Sequence, residues 1–418
     1  MMAEKTISRR TLLTALAGTG TVALIGCDPA GSRQAGAATP IPDTLLVEVD
    51  GGLGVLRGGE RLTIPHAVAA PDGQAVYATA PDGAGTAFWR IDTATGSAST
   101  RVTVPGQWLP QSVSADGTQV ALTSNAANAT NGRPDGRDVT PVLIADVTGV
   151  RHRFELRGNF VPEAFTTDLA GLFVLEWLPA RAPDRYRVRV VDLATRAPGP
   201  LSTRLKTPVP PGAEEEMRGD GRQAVLAPNR TTLYTLYTHQ PDHRHTRDLV
   251  SGRPGNAHAF VHTLNLVERW AYCVDLPHPF GEAPASGHAM AISPAGDRLY
   301  VLDVTSGHVA EISTEELVVR RTATLPPASG ASHAAVGHDR LFVGTGTEVR
   351  TLDVERLSAA AGWPVREPVT GLVLSPDGRR LYVGQKNAVS WHDSATGEQL
   401  GRVEVPGLVV LHGLAGRA

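Results

Sequence analysis

Two short patterns recur along the chain and restrict its fold more than any other feature. In the first, an apolar run, a tight polar turn and a second apolar run follow one another. It reads HAVAAPDGQAVYATA from His66, QSVSADGTQVALTS from Gln111, AFTTDLAGLFVLEW from Ala164, QAVLAPNRTTLYTLY from Gln223, HAMAISPAGDRLYVLD from His288, HAAVGHDRLFVGTG from His333 and GLVLSPDGRRLYVGQ from Gly371. Asp, Asn and Gly fill the turn because they tolerate left-handed backbone and bond to it locally. The second pattern closes a third strand: RIDTATG to Gly96, IADVTG to Gly149, VVDLATR to Arg196, TLNLVER to Arg269, EISTEEL to Leu317, TLDVERL to Leu357 and WHDSATG to Gly397. A fourth apolar strand follows each, as in STRVTVPG and EQLGRVEVPG. The unit is four antiparallel strands in about 40–50 residues. One such sheet cannot bury both faces, whereas sheets packed radially around an axis can. The expected fold is all-β, a β-propeller of four-stranded antiparallel blades.

Seven full repeats account for most of the chain. The leading segment TLLVEVDGGLGVLRGGERLTI (44–64) has room for three strands with Gly-Gly turns, and the tail VVLHGLAG resembles the strand that opens a repeat. The expectation is an eighth blade, with the tail as inner strand and the leading segment as the other three. Seven blades with extra edge strands is the alternative. SPDGRRLYVGQ from Ser375 and SPAGDRLYVLD from Ser293 resemble the YVTN/WD40-like propeller repeats of bacterial secreted proteins. That resemblance covers residues 44–418 and implies a fold without implying a function. The repeats from Ala164 and Gln223 depart most from it.

The N-terminus reads as an address. MMAEKTISRRTLLTALAGTGTVALIGC has a charged start and then an uncharged, largely apolar run from Thr11 to Gly26. This is the layout of a secretory signal, too short to span a bilayer comfortably. Arg9 and Arg10, followed by Leu12 and Leu13, resemble a twin-arginine export motif, with Thr14 where Lys is usual. Leu24-Ile25-Gly26-Cys27 resembles a bacterial lipobox. Residues 1–26 are thus expected to be a signal peptide and 27–43 a lipidated Cys27 with an Ala/Gly/Pro-rich tether. Residues 44–418 would form the propeller. The expected location is the outer face of the cytoplasmic membrane, with the bilayer as partner through Cys27. The chain has two Cys; with Cys27 lipidated, Cys273 has no disulfide partner and reads as a small buried hydrophobe.

Composition narrows the partners. The formal net charge is −3 and Lys occurs only as Lys5, Lys206 and Lys386. No basic stripe follows the first ten residues, which argues against nucleic acid. A monomer is expected. Five long insertions, 125–140, 178–186, 206–222, 239–257 and 278–287, all fall by strand counting on one face, while the loops of the other face are short. Loops on a rigid scaffold are where binding residues gather. On that same face, the first residue of each inner strand lies near the channel mouth: His66, Gln111, Glu163, Gln223, His288, His333 and His412. These residues either hydrate the channel or bind a ligand there.

Three functions follow, in order of preference. The first is a non-catalytic binding or scaffolding module for a protein, glycan or small molecule on the insertion-bearing face. The second is an enzyme: lactonase-like propellers resemble the chain in repeat style, and His66, Glu163, His288 and His333 would then supply acid–base or electrophilic groups. The third is a metal or cofactor protein, although no cofactor is required by any motif. His239, His243 and His245, with Asp242 and His258 nearby, are of metal-ligand type. Their spacing matches no known zinc site, so the segment reads first as a solvated polar loop, as does the acidic run Glu214–Glu216.

Overall fold

In the computed structural model, residues 40–124, 133–210, 212–218, 222–255 and 257–416 are described. The proposed export signal, Arg9, Arg10 and Cys27 lie outside them. The strands form a ring of eight sheets, and the fold is an eight-bladed β-propeller. Blades 1 and 2 comprise strands Ala67–Ala69, Ala75–Asp82, Gly85–Asp92 and Val102–Pro105, then Trp108–Val113, Val120–Ser124, Val139–Asp146 and Gly149–Arg157. Blade 3 contains Asn159–Phe165, Gly171–Leu178, Arg185–Asp192 and Ala197–Gly199. Blade 4 contains Gln223–Leu226, Thr232–Tyr237, Phe260–Asn265 and Trp270–Asp275. Blades 5, 6 and 7 open with the inner strands His288–Ile292, Ser332–Val336 and Val369–Leu374.

Blade 8 closes the ring. Its inner strand is the C-terminal Leu408–Leu414, paired antiparallel to Leu45–Val49, which continues into Gly52–Arg57 and Glu60–Ile64. Leu45 lies opposite Leu414 and Val49 opposite Leu408, with two bulges between. Eight blades are therefore present, not seven with stray edge strands. The two chain ends are joined by a ladder of backbone hydrogen bonds.

The core follows from strand periodicity. Alternate residues of a strand face opposite sides of its sheet, and every blade is flanked on both sides. Leu45, Val47 and Val49 accordingly pack with Tyr382, Val389 and Trp391 of blade 7, while Leu46 packs with Val76 and Ala78 of blade 1. Eight apolar clusters result, each straddling one blade boundary. With few aromatics, Val, Leu, Ile and Ala supply most of this volume.

The repeat signature has a local cause. In blade 7 the Ser375 hydroxyl contacts Asp377 Oδ1 at 2.6 Å and receives the Arg380 N–H at 2.9 Å, while Asp377 receives the Arg379 N–H at 3.1 Å. Blade 2 repeats this through Ser114, Asp116 and Gln119. The turn after the third strand needs a left-handed residue at its close. Gly96 and Gly397 meet that need, and Arg196, Arg269, Leu317 and Leu357 adopt φ of 50–61° in the same place.

The passage from blade 3 to blade 4 departs from the expected route. After a three-residue fourth strand the chain crosses to blade 4, where Ser202–Thr203 pairs in parallel with the outer strand. Arg204 donates to the carbonyls of Glu315 and Glu316, and Lys206 contacts Glu268 at 2.5 Å. Those acceptors sit in turns between third and fourth strands, which belong to the short-loop face. The start of the 206–222 insertion therefore runs along the outer edge of blade 4 before reaching the face that strand counting assigned to all of it.

Candidate functional site

On the long-loop face the insertions are fastened to one another in series. Arg137 N–H donates to Ala180 O at 2.9 Å, and Asn159 Nδ2 bridges Asp135 O and Ala180 O at 2.9 and 3.0 Å. Arg181 Nε donates to Asp138 at 2.7 Å, joining the blade 2 and blade 3 insertions. Arg185 then reaches Glu216 at 2.6 Å, and Tyr186 exchanges two backbone bonds with Met217. Gln240 bonds Arg218 through both its amide atoms, at 2.9 and 2.8 Å. His239 N–H donates to Gly281 O at 3.3 Å, tying the blade 4 insertion to the next connection. The described parts of the five insertions form one wall over blades 2 to 5.

The wall encloses a polar cluster on blade 4. Much of the 239–257 segment is exposed as expected from sequence, but two of its histidines are not. His243 and His245 are 6% and 2% exposed, and Cys273 is 3% exposed. His243 pairs with Ala257 across an isolated bridge, and both imidazoles pack on Phe260, at centroid distances of 4.5 and 4.8 Å. The short helix Thr246–Ser251 starts from His245, whose N–H is capped by Asp248. Glu215 enters from the neighbouring insertion. Its Oε2 lies 3.2 Å from His245 Nδ1, 3.1 Å from Cys273 Sγ and 3.7 Å from His243 Nε2. Its Oε1 accepts the Thr246 N–H at 2.8 Å. On the far side of the His245 ring, Nε2 is 2.6 Å from Asp275 Oδ1, and Arg247 pairs with the other Asp275 oxygen.

The electrostatics are those of a desolvated ion cluster. Burial opposes a charged His245, but Asp275 and Glu215 outweigh it and push the imidazole up to about 9. Burial alone would raise the Glu215 carboxyl, yet the facing His243 and His245 hold it well below the usual carboxylate range. Burial, reinforced by the charges of Glu215 and Asp275, pushes the Cys273 thiol well up, so it stays protonated and donates to Glu215. Behind the cluster, His262 is buried and brought down to about 4, chiefly by desolvation. Among the described residues, Glu215, His245 and Cys273 form the group whose ligand-type atoms all lie within 4.8 Å of one another.

The residues singled out from sequence divide three ways. His243 and His245 come together, whereas His239 turns to the Thr238 hydroxyl at 3.0 Å and His258 is exposed. Of the acidic run, only Glu215 joins the cluster; Glu214 pairs with Arg189 at 2.8 Å and Glu216 with Arg185. Four of the channel-mouth residues have partners as follows. Glu163 is bound by Arg222, which also reaches the Tyr237 hydroxyl at 3.4 Å. His288 accepts the Gly281 N–H on Nε2 at 3.1 Å and meets Pro284 O through Nδ1 at 3.2 Å, so both ring nitrogens hold the 278–287 connection in place. Gln223 donates to His288 O at 2.5 Å. His412 is the extra residue of a bulge in the closing strand and faces Glu48 at 3.5 Å. Gln111 and His333 are buried, and His66 is exposed.

Sequence reasoning missed Cys273 and Asp275. The signal was present: His243-x-His245 and Cys273-x-Asp275 share the two-residue spacing that puts side chains on one face of extended chain.

The chain matches no protein-family model and no curated protein at a significant level. Solved structures resemble it in fold. Apo AztD from Citrobacter koseri superposes with a TM-score of 0.53 at 13% identity, covering 88% of this chain and 96% of that one. A second AztD structure gives 0.51 at 12% identity with the same coverage. Saccharomyces cerevisiae Sqt1 gives 0.52 at 9% identity, covering 90% of each chain. At such identities the likeness establishes the propeller architecture alone.

Proposed function

We propose that this chain is an exported, lipid-anchored β-propeller that binds a partner protein through its insertion-bearing face. The observation that carries the reading is the wall itself. Five insertions are locked together across four blades, which gives a broad relief whose shape is already set before a partner arrives. Val250, on the helix of the blade 4 insertion, is 61% exposed there. Exposed apolar side chains within a polar frame suit a protein partner.

The point where the chain enters the ring supports the same orientation. Asp43 accepts from Arg380 at 3.2 Å and from the Tyr382 hydroxyl, and Ile41 is buried in the cluster between blades 7 and 8. Arg380 begins the second strand of blade 7, just after a short-face turn. A tether rising from a lipidated Cys27 would therefore meet the propeller on its short-loop face, leaving the insertion-bearing face turned away from the bilayer. Acyl chains on Cys27 would hold the protein at the membrane.

Two measurements test this. Cys27→Ala is expected to move the protein from the membrane fraction to the soluble extracytoplasmic fraction. A photo-cross-linking side chain at Arg181, 80% exposed on the wall, is expected to trap one discrete adduct in intact cells. The same probe at Asp377, in a short-face turn, should trap none. Equal adducts from both positions, or none from either, would contradict a partner-binding wall.

A further inference from the structure

We propose that Glu215, His245 and Cys273 form a three-ligand site for a borderline-soft divalent cation, best matched by Zn2+, with His243 beside it. The inference is independent of the partner-binding role and goes beyond it.

The donor geometry is the first support. Zinc bonds of about 2.0–2.3 Å to N, O and S ligands place tetrahedral donors about 3.2–3.8 Å apart. Glu215 Oε2 lies 3.1 Å from Cys273 Sγ and 3.2 Å from His245 Nδ1, and the three donor atoms are all within 4.8 Å of one another. A carboxylate, an imidazole and a thiol make a donor set for zinc and not for Mg2+ or Ca2+, which take oxygen ligands.

The second support is a buried nitrogen beside the group. His243 Nε2 is fully buried, makes no hydrogen bond and lies 3.7 Å from Glu215 Oε2, with its ring against Phe260. It stands outside the three-donor group and would complete the coordination only by moving toward it.

Third, His245 carries the outer support that metal-bound histidines have. Asp275 contacts its Nε2 at 2.6 Å, which fixes the ring and leaves Nδ1 for the metal. Binding is a proton exchange with no redox step. Nδ1 of His245 and Sγ of Cys273 each release one proton, and the carboxylate and thiolate then balance the cation's two charges. The carboxylate side gives access: Glu215 keeps 17% and Asp275 38% of their side-chain surfaces exposed.

The test uses the full-length protein and Co2+, with Cys27→Ala as a control because it removes the only other thiol. One equivalent of Co2+ is expected to produce a thiolate-to-cobalt charge-transfer band and tetrahedral d–d absorption, both bleached by Zn2+. Cys273→Ser should abolish the charge-transfer band while the circular dichroism of the fold persists. Asp275→Asn should weaken Zn2+ binding about 10–100-fold. A wild-type protein that shows no charge-transfer band with stoichiometric Co2+ overturns the proposal, whatever the variants do. A band that survives Cys273→Ser overturns it as well.

Discussion

At the scale of single residues, the boundary between blades 3 and 4 is unusual because charges are buried in it. Glu163 and Arg222 have side chains 5% and 10% exposed, and Arg222 also lies over the Tyr186 ring at 6.0 Å. The Tyr186 and Tyr237 hydroxyls meet at 2.7 Å beside it. Such a pair stabilises little relative to an apolar replacement, yet losing one partner strands the other charge in low dielectric. Glu163→Ala is therefore expected to lower the unfolding free energy by about 3–5 kcal/mol, read from the urea midpoint. The double variant Glu163→Ala/Arg222→Met should recover most of that loss. Equal loss in both would show that Arg222 is held by other contacts. Glu163 stood out in the sequence as the polar opening of an inner strand. Its partner did not, because the two are 59 residues apart.

At the scale of elements, the closing strand ties blade 8 to blade 7. Leu408, Leu411 and Leu414 all enter the cluster shared with blade 7. Leu411 also lies so near the blade 7 inner strand that a β-carbon on Gly371 would sit 2.3 Å from its carbonyl oxygen. Only glycine fits there, and the contact is between backbones, so no side chain can swing aside. Gly371→Ala should force the closing strand outward and cost about 1–3 kcal/mol, seen as a lower thermal midpoint. A midpoint equal to that of wild type would mean that the two strands are not so closely packed. The closing strand was legible in the tail because its pattern repeats the one that opens each blade. The bulge that places His412 was not, since bulges answer to the neighbouring strand's register.

For the whole molecule, buried histidines set the response to acid. Burial brings His288 down despite the charge of Asp303 at 3.5 Å, with His239 acting in the same direction as burial. Burial likewise brings down His392, whose neighbours are the Ser390 hydroxyl, the Trp363 ring and the Gly397 carbonyl. In the unfolded chain both would titrate near about 6.5. Below that pH the unfolded state binds more protons than the folded one, so stability falls as pH drops, until the folded-state histidines themselves protonate. Urea unfolding at about pH 7.5 and about pH 5.5 reads this loss net of His245, whose raised pKa adds stability in the opposite sense as pH falls. His392→Asn should make it smaller, and an unchanged difference would remove His392 as a contributor.

The chain's repeats determine the architecture without help from tertiary detail. Strand alternation, the Ser-x-Asp-Gly turns and the complementary ends point to a propeller of eight blades with seven as the alternative, and to long loops gathered on one face, because each rests on local backbone chemistry repeated at a constant period; the pairing of the two chain ends decides for eight. The cluster on blade 4 is different. Glu215 and the histidines His243 and His245 sit in two aperiodic insertions, where spacing carries no direction. Cys273 and Asp275 lie on a strand whose facing partner no local rule names. Only the folded wall brings one carboxylate, one imidazole and one thiol within reach of each other, with a second imidazole beside the carboxylate. It does so because loops anchored on adjacent blades must pack together to satisfy their buried polar groups.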